Sequence, residues 1–286
     1  MSPPRVSQPR VWERYVAIGD SFTEGMVDPD PTGATEFAGW ADRLAAHLSS
    51  YAAAAGRPFA YANLAVRGRK LDDVVGPQLA AAVELGPDLV SVVGGGNDIL
   101  RPSVDIDALA DRLEEAVIRL RGNGIDVLLA TPTDPRDSGL FKALRARHAI
   151  HTANLFTIAQ RHGAHVLNLW GIGSVQDWRM WGEDRIHLTS EGHRRVANAA
   201  LVALGLPPAD PEWDVPLPAA PAQTRVAQLR GHLAWARTYA GPWVQRRVRR
   251  TSSGAALAAK RPALLGLESP GECDGRHDDT PPDVLA

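Results

Sequence analysis

The chain has 286 residues, of which 44% are hydrophobic and 22% are charged, and its formal net charge is −2. This composition is that of an ordinary folded protein, and it excludes collagen-like, wholly disordered and coiled-coil chains. The single cysteine, Cys273, excludes an internal disulfide framework and a zinc site built from several cysteines. Residues 1–14 lack the apolar core of a secretion signal, and no run approaches the roughly 18 apolar residues of a membrane span. We therefore expect a cytoplasmic protein.

Short apolar runs alternate along the chain with longer amphipathic stretches. The runs predict strands at 15–19, 59–64, 88–93, 126–130 and 164–167. The amphipathic stretches predict helices at 36–55, 71–84, 105–123, 140–162 and 190–204. Strands that alternate with helices of this length are typical of right-handed βαβ units, so the sequence predicts an α/β fold with a parallel sheet.

Charge is distributed unevenly along the chain and divides it into segments. Residues 1–214 carry a net charge of −6, residues 215–267 carry +9, and residues 268–286 carry −5. Together with the proline content, this pattern predicts five segments. They are a flexible N-terminus (1–11), a folded domain (12–206), a Pro/Ala-rich linker (207–224), a basic helical extension (225–262) and a disordered acidic tail (263–286).

Polar residues and one glycine follow the first three predicted strands, and two more polar residues precede the last predicted helix. Ser21, Gly68 and Asn97 follow the strands, whereas Asp184 and His187 lie shortly before the helix at 190–204. In an open parallel sheet the ligand site lies at the carboxyl ends of the strands. We therefore expect these five residues to meet at one rim.

The five residues are those that acyl transfer to a serine requires. The Ser21 hydroxyl needs an imidazole to accept its proton, which His187 can provide, and His187 needs a carboxylate to fix its tautomer, which Asp184 can provide. The backbone N–H groups of Ser21 and Gly68 and the amide of Asn97 can form an oxyanion hole. A serine after a strand can also simply cap a helix, but the set as a whole favours catalysis.

These segments resemble the four sequence blocks of the SGNH (GDSL-type) hydrolase family. The blocks are the GDS at 19–21, the glycine Gly68, the GxND at 95–98 and the DxxH at 184–187, and the resemblance covers about two thirds of the chain. Phe22 stands where the family's namesake motif has leucine. The resemblance implies a flavodoxin-like, three-layer αβα fold with a five-stranded parallel sheet. It also implies hydrolysis of small-molecule esters or thioesters through an acyl-serine, with no metal and no other cofactor.

Two alternative functions remain open. Within the same family, the chain could be a carbohydrate O-deacetylase. In a different class, it could be a non-catalytic protein whose basic segment, with four arginines at 246–250, contacts a membrane surface or nucleic acid. We favour a basic segment that docks on the acidic domain, and we expect no nucleic-acid partner. The oligomeric state stays open.

Other residues are candidates for the walls and cover of the site. Trp178 and Trp181 precede the Asp184–His187 segment and could form a substrate pocket, or they could pack that segment against the sheet. Residues 26–35 could form a mobile lid or an ordinary loop.

The remaining candidates are histidines and a glycine run. His148 and His151 share one helix face and could bind a metal, but we expect an exposed pair because no carboxylate lies at ligand spacing. We expect His193 to be a partly buried structural residue. The glycines at 94–96 lack the spacing of a phosphate-binding loop.

Overall fold

The computed structural model describes residues 10–220, 235, 237–238 and 257–267. Within these residues six strands form one sheet in the order β5-β4-β3-β1-β2-β6. They are β1 (Arg14–Ile18), β2 (Ala60–Asn63), β3 (Leu89–Val92), β4 (Asp126–Ala130), β5 (His165–Leu167) and β6 (Arg261–Gly266). The first five strands are parallel, and β6 runs antiparallel to β2 at one edge.

Helices cover both faces of this sheet. The α-helices of the described residues are α1 (Ser21–Glu24), α2 (Trp40–Ala54), α3 (Leu71–Asp73), α4 (Leu79–Glu84), α5 (Gly96–Ile99), α6 (Ile106–Gly122), α7 (Arg145–His162) and α8 (Ser190–Ala203). No helix in the described part of the chain has both the length and the apolar character needed to cross a bilayer.

Successive side chains of β1 point to opposite faces of the sheet, and each face has its own hydrophobic core. Tyr15 and Ala17 face a core shared with α2 and α8, whereas Val16 and Ile18 face a core shared with α6 and α7. Every residue of β3 and β4 is buried, as expected for parallel strands that helices cover on both faces. The architecture is therefore a three-layer αβα sandwich, and the α/β prediction is confirmed.

The five strands predicted from the sequence are all present, but the strand count was too low by one. Residues 261–266 form β6, so the prediction of a helical extension up to residue 262 and a disordered tail from residue 263 is wrong at these positions. Pairing with β2 orders this segment: Ala60 pairs with Gly266 and Asn63 with Arg261. Pro262 is tolerated because an edge strand can leave an N–H position unpaired.

Three predicted helices begin or continue differently from the sequence expectation. The helix predicted at 36–55 begins at Trp40, after Gly39 at its N-cap. The helix predicted at 71–84 is interrupted by a π-helical turn over Val74–Gln78, which contains Pro77, a residue without a backbone N–H. The helix predicted at 140–162 begins at Arg145, after a 3₁₀ turn.

The predicted linker is tied to the domain over the part that the structure describes. Residues 207–220 contain no helix or strand. Asp214 nevertheless accepts a 2.9 Å hydrogen bond from the Ser174 backbone N–H, and Asp210 forms a 2.6 Å ion pair with Arg194. Most of the predicted basic extension, the start of the predicted flexible N-terminus (1–9) and the tail after residue 267 lie outside the described residues.

Candidate active site

The topology brings the predicted site residues to one rim of the sheet. Strand β1 lies between β2 and β3, so the segments that follow these three strands are neighbours. Ser21 is the first residue of α1, directly after β1, and Asn97 lies in α5, after β3. Gly68 lies in the turn after β2 and has a φ of 74°, in the left-handed region that glycine adopts readily.

Ser21, His187 and Asp184 form a continuous chain of hydrogen bonds. The distance between Ser21 Oγ and His187 Nε2 is 2.8 Å, and the distance between His187 Nδ1 and Asp184 Oδ2 is 2.6 Å. The first distance is typical of a hydrogen bond, and the second is short, as expected for a bond to a carboxylate. The carboxylate therefore favours the tautomer in which Nδ1 carries the proton and Nε2 is free to accept the proton of the serine hydroxyl.

A tight loop holds the Asp184 carboxylate against the imidazole. Asp184 Oδ1 accepts hydrogen bonds from the backbone N–H groups of Ile186 at 2.9 Å and His187 at 3.0 Å. Arg185, between Asp184 and Ile186, has a φ of 58°, which residues with a Cβ adopt rarely. Burial raises the pKa of Asp184, but the bond and charge of His187 and the two N–H groups outweigh it. The net pKa lies below its ordinary value, so the carboxylate stays ionised.

Neighbours on both sides of Ser21 shape its turn. Asp20 caps α1 by accepting a 3.1 Å hydrogen bond from the Phe22 N–H, and Gly25 ends the helix with a φ of 89°. A Cβ on Gly19 would lie 2.6 Å from Thr23 Oγ1, so this position requires glycine. The two residues before the nucleophile are therefore fixed by close packing at Gly19 and by the cap that Asp20 forms.

Asn97 lies beside the residue that precedes the nucleophile. Its Nδ2 donates to the Arg69 backbone carbonyl at 2.9 Å and to Asp20 Oδ2 at 3.1 Å. Burial is the main cause that raises the pKa of Asp20, to about 6. An amide has two N–H groups, so Asn97 must exchange one of these two bonds in order to donate to a substrate oxygen.

Two supporting interactions at this rim were missed by the sequence analysis. The Gln78 amide makes two bonds with the backbone of Gly19, accepting from its N–H at 2.8 Å and donating to its carbonyl at 3.0 Å. The buried Glu24 carboxylate accepts a 2.6 Å bond from the Arg67 backbone N–H and a 2.6 Å bond from its guanidinium. This pair joins the Ser21 turn to the turn that contains Gly68. No local motif marks either interaction.

The two tryptophans predicted as pocket walls occupy different environments. Trp178 is 65% exposed. Trp181 packs against the core and donates a 2.8 Å hydrogen bond to the Val175 carbonyl. Trp181 thus packs its loop on the domain, and a role of either residue in binding substrate stays a prediction.

The segment predicted as a lid or a loop is held by its own hydrogen bonds. The Asp30 carboxylate accepts bonds from the N–H and hydroxyl groups of Thr32 and Thr35, at 2.7 to 2.9 Å. Asp28 forms a 2.7 Å ion pair with Arg43 of α2. These contacts favour the ordinary loop.

The histidines outside the catalytic chain are buried more deeply than expected. His151 is 1% exposed, so the prediction of an exposed pair is wrong for it. Helix α7 turns this side chain toward the loop at Gly94, whose carbonyl lies 3.4 Å from His151 Nε2. His193 is fully buried and accepts a bond from the Trp40 N–H. Burial lowers the pKa of each to about 4. Within the described residues, no three His, Cys, Asp or Glu side chains gather to hold a metal ion.

Comparison with solved structures agrees with the fold. LAE5, an alpha/beta hydrolase enzyme from the metagenome of Lake Arreo, Spain, is 25% identical, covers 68% of this chain and 95% of its own, and superposes with a TM-score of 0.56. A variant of Axe2, an acetyl xylan esterase from Geobacillus stearothermophilus, is 18% identical, with coverages of 69% and 97% and a TM-score of 0.57. TesA is 23% identical, with coverages of 66% and 97% and a TM-score of 0.52.

Sequence comparison identifies the family directly. No curated protein matches the chain in sequence. The sequence model of the GDSL-like Lipase/Acylhydrolase family, however, matches residues 17–195, which is more than half of the chain and includes all five residues predicted for catalysis. The chain therefore belongs to the GDSL-like lipase/acylhydrolase family of ester-acting hydrolases.

Proposed function

We propose that the protein is a metal-independent serine hydrolase that cleaves carboxylic esters through an acyl-serine intermediate. The observation that carries this proposal is the hydrogen-bonded chain from Ser21 through His187 to Asp184, at 2.8 and 2.6 Å. Such a chain is the arrangement that makes a serine hydroxyl nucleophilic at neutral pH.

In the first half of the reaction, Ser21 becomes acylated. His187 Nε2 accepts the hydroxyl proton while Ser21 Oγ attacks the ester carbonyl carbon. Asp184 stabilises the imidazolium that forms and stays ionised itself. The tetrahedral intermediate then collapses, and His187 returns the proton to the leaving alcohol or thiol, which departs.

Stabilisation of the oxyanion falls to three donors. They are the backbone N–H groups of Ser21 and Gly68 and the side-chain amide of Asn97. Asn97 reaches the substrate oxygen by giving up its 3.1 Å bond to Asp20 and keeping its bond to the Arg69 carbonyl. Each donor of this kind contributes a factor of about 10²–10³ to the rate.

Water completes the reaction in the second half. His187 accepts a proton from a water molecule, whose oxygen attacks the acyl carbon of the ester formed with Ser21. The second tetrahedral intermediate releases the carboxylic acid, and Ser21 Oγ recovers its proton from His187. No step requires a metal ion.

For the substrate class, we infer a lipid-type ester or thioester, in keeping with the lipase/acylhydrolase family to which the chain belongs. Acetylated carbohydrate is the second candidate. The fold likeness to Axe2, an acetyl xylan esterase, favours the second candidate. A panel of p-nitrophenyl esters and thioesters, from acetyl to dodecanoyl, separates the two candidates when it is assayed beside acetylated xylooligosaccharides. Higher kcat/KM for the longer chains supports the first.

The decisive test of the reaction is the Ser21→Ala variant, assayed on p-nitrophenyl acetate and butyrate. We expect a loss of turnover on the order of 10⁶. Ser50→Ala is the matched control, because Ser50 is exposed on α2 and donates only to the Ala46 carbonyl. EDTA should leave wild-type activity unchanged. Wild-type rates in Ser21→Ala, or loss of activity with EDTA, would contradict the proposal.

A further inference from the structure

Trp235 contacts the loop that carries Asp184 and His187. Its indole Nε1–H donates a 2.9 Å hydrogen bond to the backbone carbonyl of Asp184. The guanidinium carbon of Arg185 lies 5.1 Å from the centre of the indole ring, within the range of a cation–π contact. One side chain therefore contacts two consecutive residues of the Asp184–His187 loop.

The peptide that Trp235 contacts is the strained one in that loop. The Asp184 carbonyl belongs to the peptide unit that leads into Arg185, whose φ is 58°. A residue with a Cβ keeps such a conformation only when its surroundings hold it there. The indole contacts both the carbonyl of this peptide and the guanidinium of the residue that follows it.

The geometry of this peptide determines where the Asp184 carboxylate lies. Asp184 Oδ1 is fixed by the N–H groups of Ile186 and His187, and Oδ2 lies 2.6 Å from His187 Nδ1. All of these partners belong to the same short loop. If the Asp184–Arg185 peptide rotates, the N–H groups and the carboxylate move together relative to the imidazole.

Trp235 lies outside the part of the chain that the family accounts for. The family match ends at residue 195. The compared structures are covered over 95–97% of their own length by about two thirds of this chain. The contact is therefore a property of this chain rather than of the shared domain.

Residues 260–266 also contact the domain on the side of the catalytic serine. The Lys260 ammonium donates to the backbone carbonyls of Glu24 and Phe37, at 2.7 and 2.8 Å. Strand β6 then pairs with β2. Residues 260–266 are thus anchored beside the nucleophile helix.

We propose that Trp235 is a positioning residue for catalysis: it holds the Asp184–Arg185 peptide in its left-handed turn and so keeps the Asp184 carboxylate against His187. This inference rests on the proposed function, because it assigns Trp235 an effect on the Asp184–His187 pair. It concerns the rate of acylation and leaves substrate affinity unchanged.

The test uses the full-length chain with Trp235→Phe, which keeps a ring for Arg185 and removes the N–H donor. We expect kcat for p-nitrophenyl butyrate to fall about fivefold, equivalent to about 1 kcal/mol, with KM within about twofold of wild type. Phosphonylation of Ser21 by a p-nitrophenyl phosphonate should slow by the same factor, because it needs the same activated hydroxyl. Trp170→Phe is the matched control: Trp170 also contacts an arginine, Arg145 at 5.6 Å, but this arginine belongs to α7 and not to the Asp184–His187 loop.

Repeating the substitution in a second starting variant, Arg185→Gly, separates a positioning role of Trp235 from a general loss of stability. Arg185→Gly allows a positive φ without strain. We therefore expect Trp235→Phe to reduce kcat by less than about twofold when it is added to Arg185→Gly, against about fivefold in the wild-type background. Thermal unfolding monitored by circular dichroism checks that each variant is folded at the assay temperature.

The outcomes distinguish this inference from the proposed function. Unchanged kcat in Trp235→Phe, together with an inactive Ser21→Ala, overturns the role of Trp235 and leaves the proposed function intact. A higher KM at constant kcat also overturns it, because Trp235 would then belong to the substrate site. Equal losses in both backgrounds show a structural role and overturn it as well. Wild-type activity in Ser21→Ala contradicts the proposed function instead.

Discussion

The ammonium group of Lys260 donates a 2.7 Å hydrogen bond to the backbone carbonyl of Glu24, the last residue of the helix that begins with Ser21. A cation at the C-terminal end of a helix also interacts favourably with the helix dipole. The same ammonium forms a 2.6 Å ion pair with Asp42 of α2. One nearly buried side chain therefore joins the last strand of the sheet, the nucleophile helix and α2.

Lys260→Met should destabilise the protein by about 3 kcal/mol. The substitution leaves the Asp42 carboxylate without its cation, and the carbonyls of Glu24 and Phe37 without a donor. The free energy of unfolding, measured by urea denaturation, checks this value. Lys142→Met is the control, because Lys142 is exposed and its loss should change stability by less than about 0.5 kcal/mol.

The ion pair itself can be tested by removing both charges. Burial raises the pKa of Asp42, and Lys260 is the main opposing influence. We expect the double variant Lys260→Met with Asp42→Asn to be more stable than Lys260→Met alone, since no unpaired charge is then buried. A Lys260→Met variant as stable as the wild type would show that this contact does not stabilise the fold.

Asp184→Asn should lower kcat by a factor on the order of 10⁴ while leaving the loop folded. The asparagine oxygen can still accept the N–H groups of Ile186 and His187, but its NH₂ group faces His187 Nδ1 and favours the wrong tautomer. Steady-state kinetics and a thermal unfolding curve within a few degrees of wild type check both parts. Asp177→Asn, which also caps a short turn through Oδ1, is the control and should keep wild-type kcat.

Gly25→Ala should destabilise the protein by about 3 kcal/mol or more. Gly25 ends the nucleophile helix with a φ of 89°, and a Cβ there would lie 2.5 Å from Gly39 Cα at the start of α2. Gly33→Ala separates the two causes, because Gly33 has a φ of 71° but no atom within 4 Å of the added Cβ. We expect about 1 kcal/mol for Gly33→Ala. Equal losses in the two variants would mean that close packing at Gly25 is unimportant.

The buried histidine of α7 should make stability depend on pH. Burial lowers the pKa of His151 to about 4, below its ordinary value of 6.5. Between these values the unfolded chain binds the proton and the folded chain does not, so stability is lost as the pH falls from 6.5 toward 4.

Comparison with His151→Gln isolates this contribution. Between pH 7 and pH 5, the wild type should lose about 2 kcal/mol more unfolding free energy than the variant. Chemical denaturation at the two pH values measures the difference. His193 titrates in the same sense in both proteins and therefore cancels. If wild type and variant lose the same unfolding free energy between the two pH values, the His151 imidazole is exposed to solvent and this prediction is wrong.

Much of the fold and of the catalytic chain could be predicted because the signals are local. Each parallel strand is a short apolar run, and each candidate residue follows a strand or precedes a helix within a few positions. A parallel topology brings such segments to one rim. Ser21 and His187 are therefore placed together by the sequence, although 166 positions separate them along the chain.

The interactions that sequence reasoning missed are long-range and leave no local pattern. Lys260 binds a carbonyl 236 positions away, and Gln78 binds the backbone of Gly19 across 59 positions. Strand β6 is mostly exposed, begins with arginine and proline, and lies next to an acidic tail, so it lacks the apolar run of a buried strand. Its order depends on a partner strand about 200 residues earlier.

The placement of β6 has a consequence for the order in which the molecule is completed. During synthesis, β2 and the nucleophile helix are made early, but the outer partner of β2 and the cation that binds Glu24 come from residues 260–266. Until those residues leave the ribosome, β2 presents an unpaired edge, the kind of edge that invites pairing with other chains. Pairing of β6 with β2 thus covers this edge and protects it from pairing with other chains.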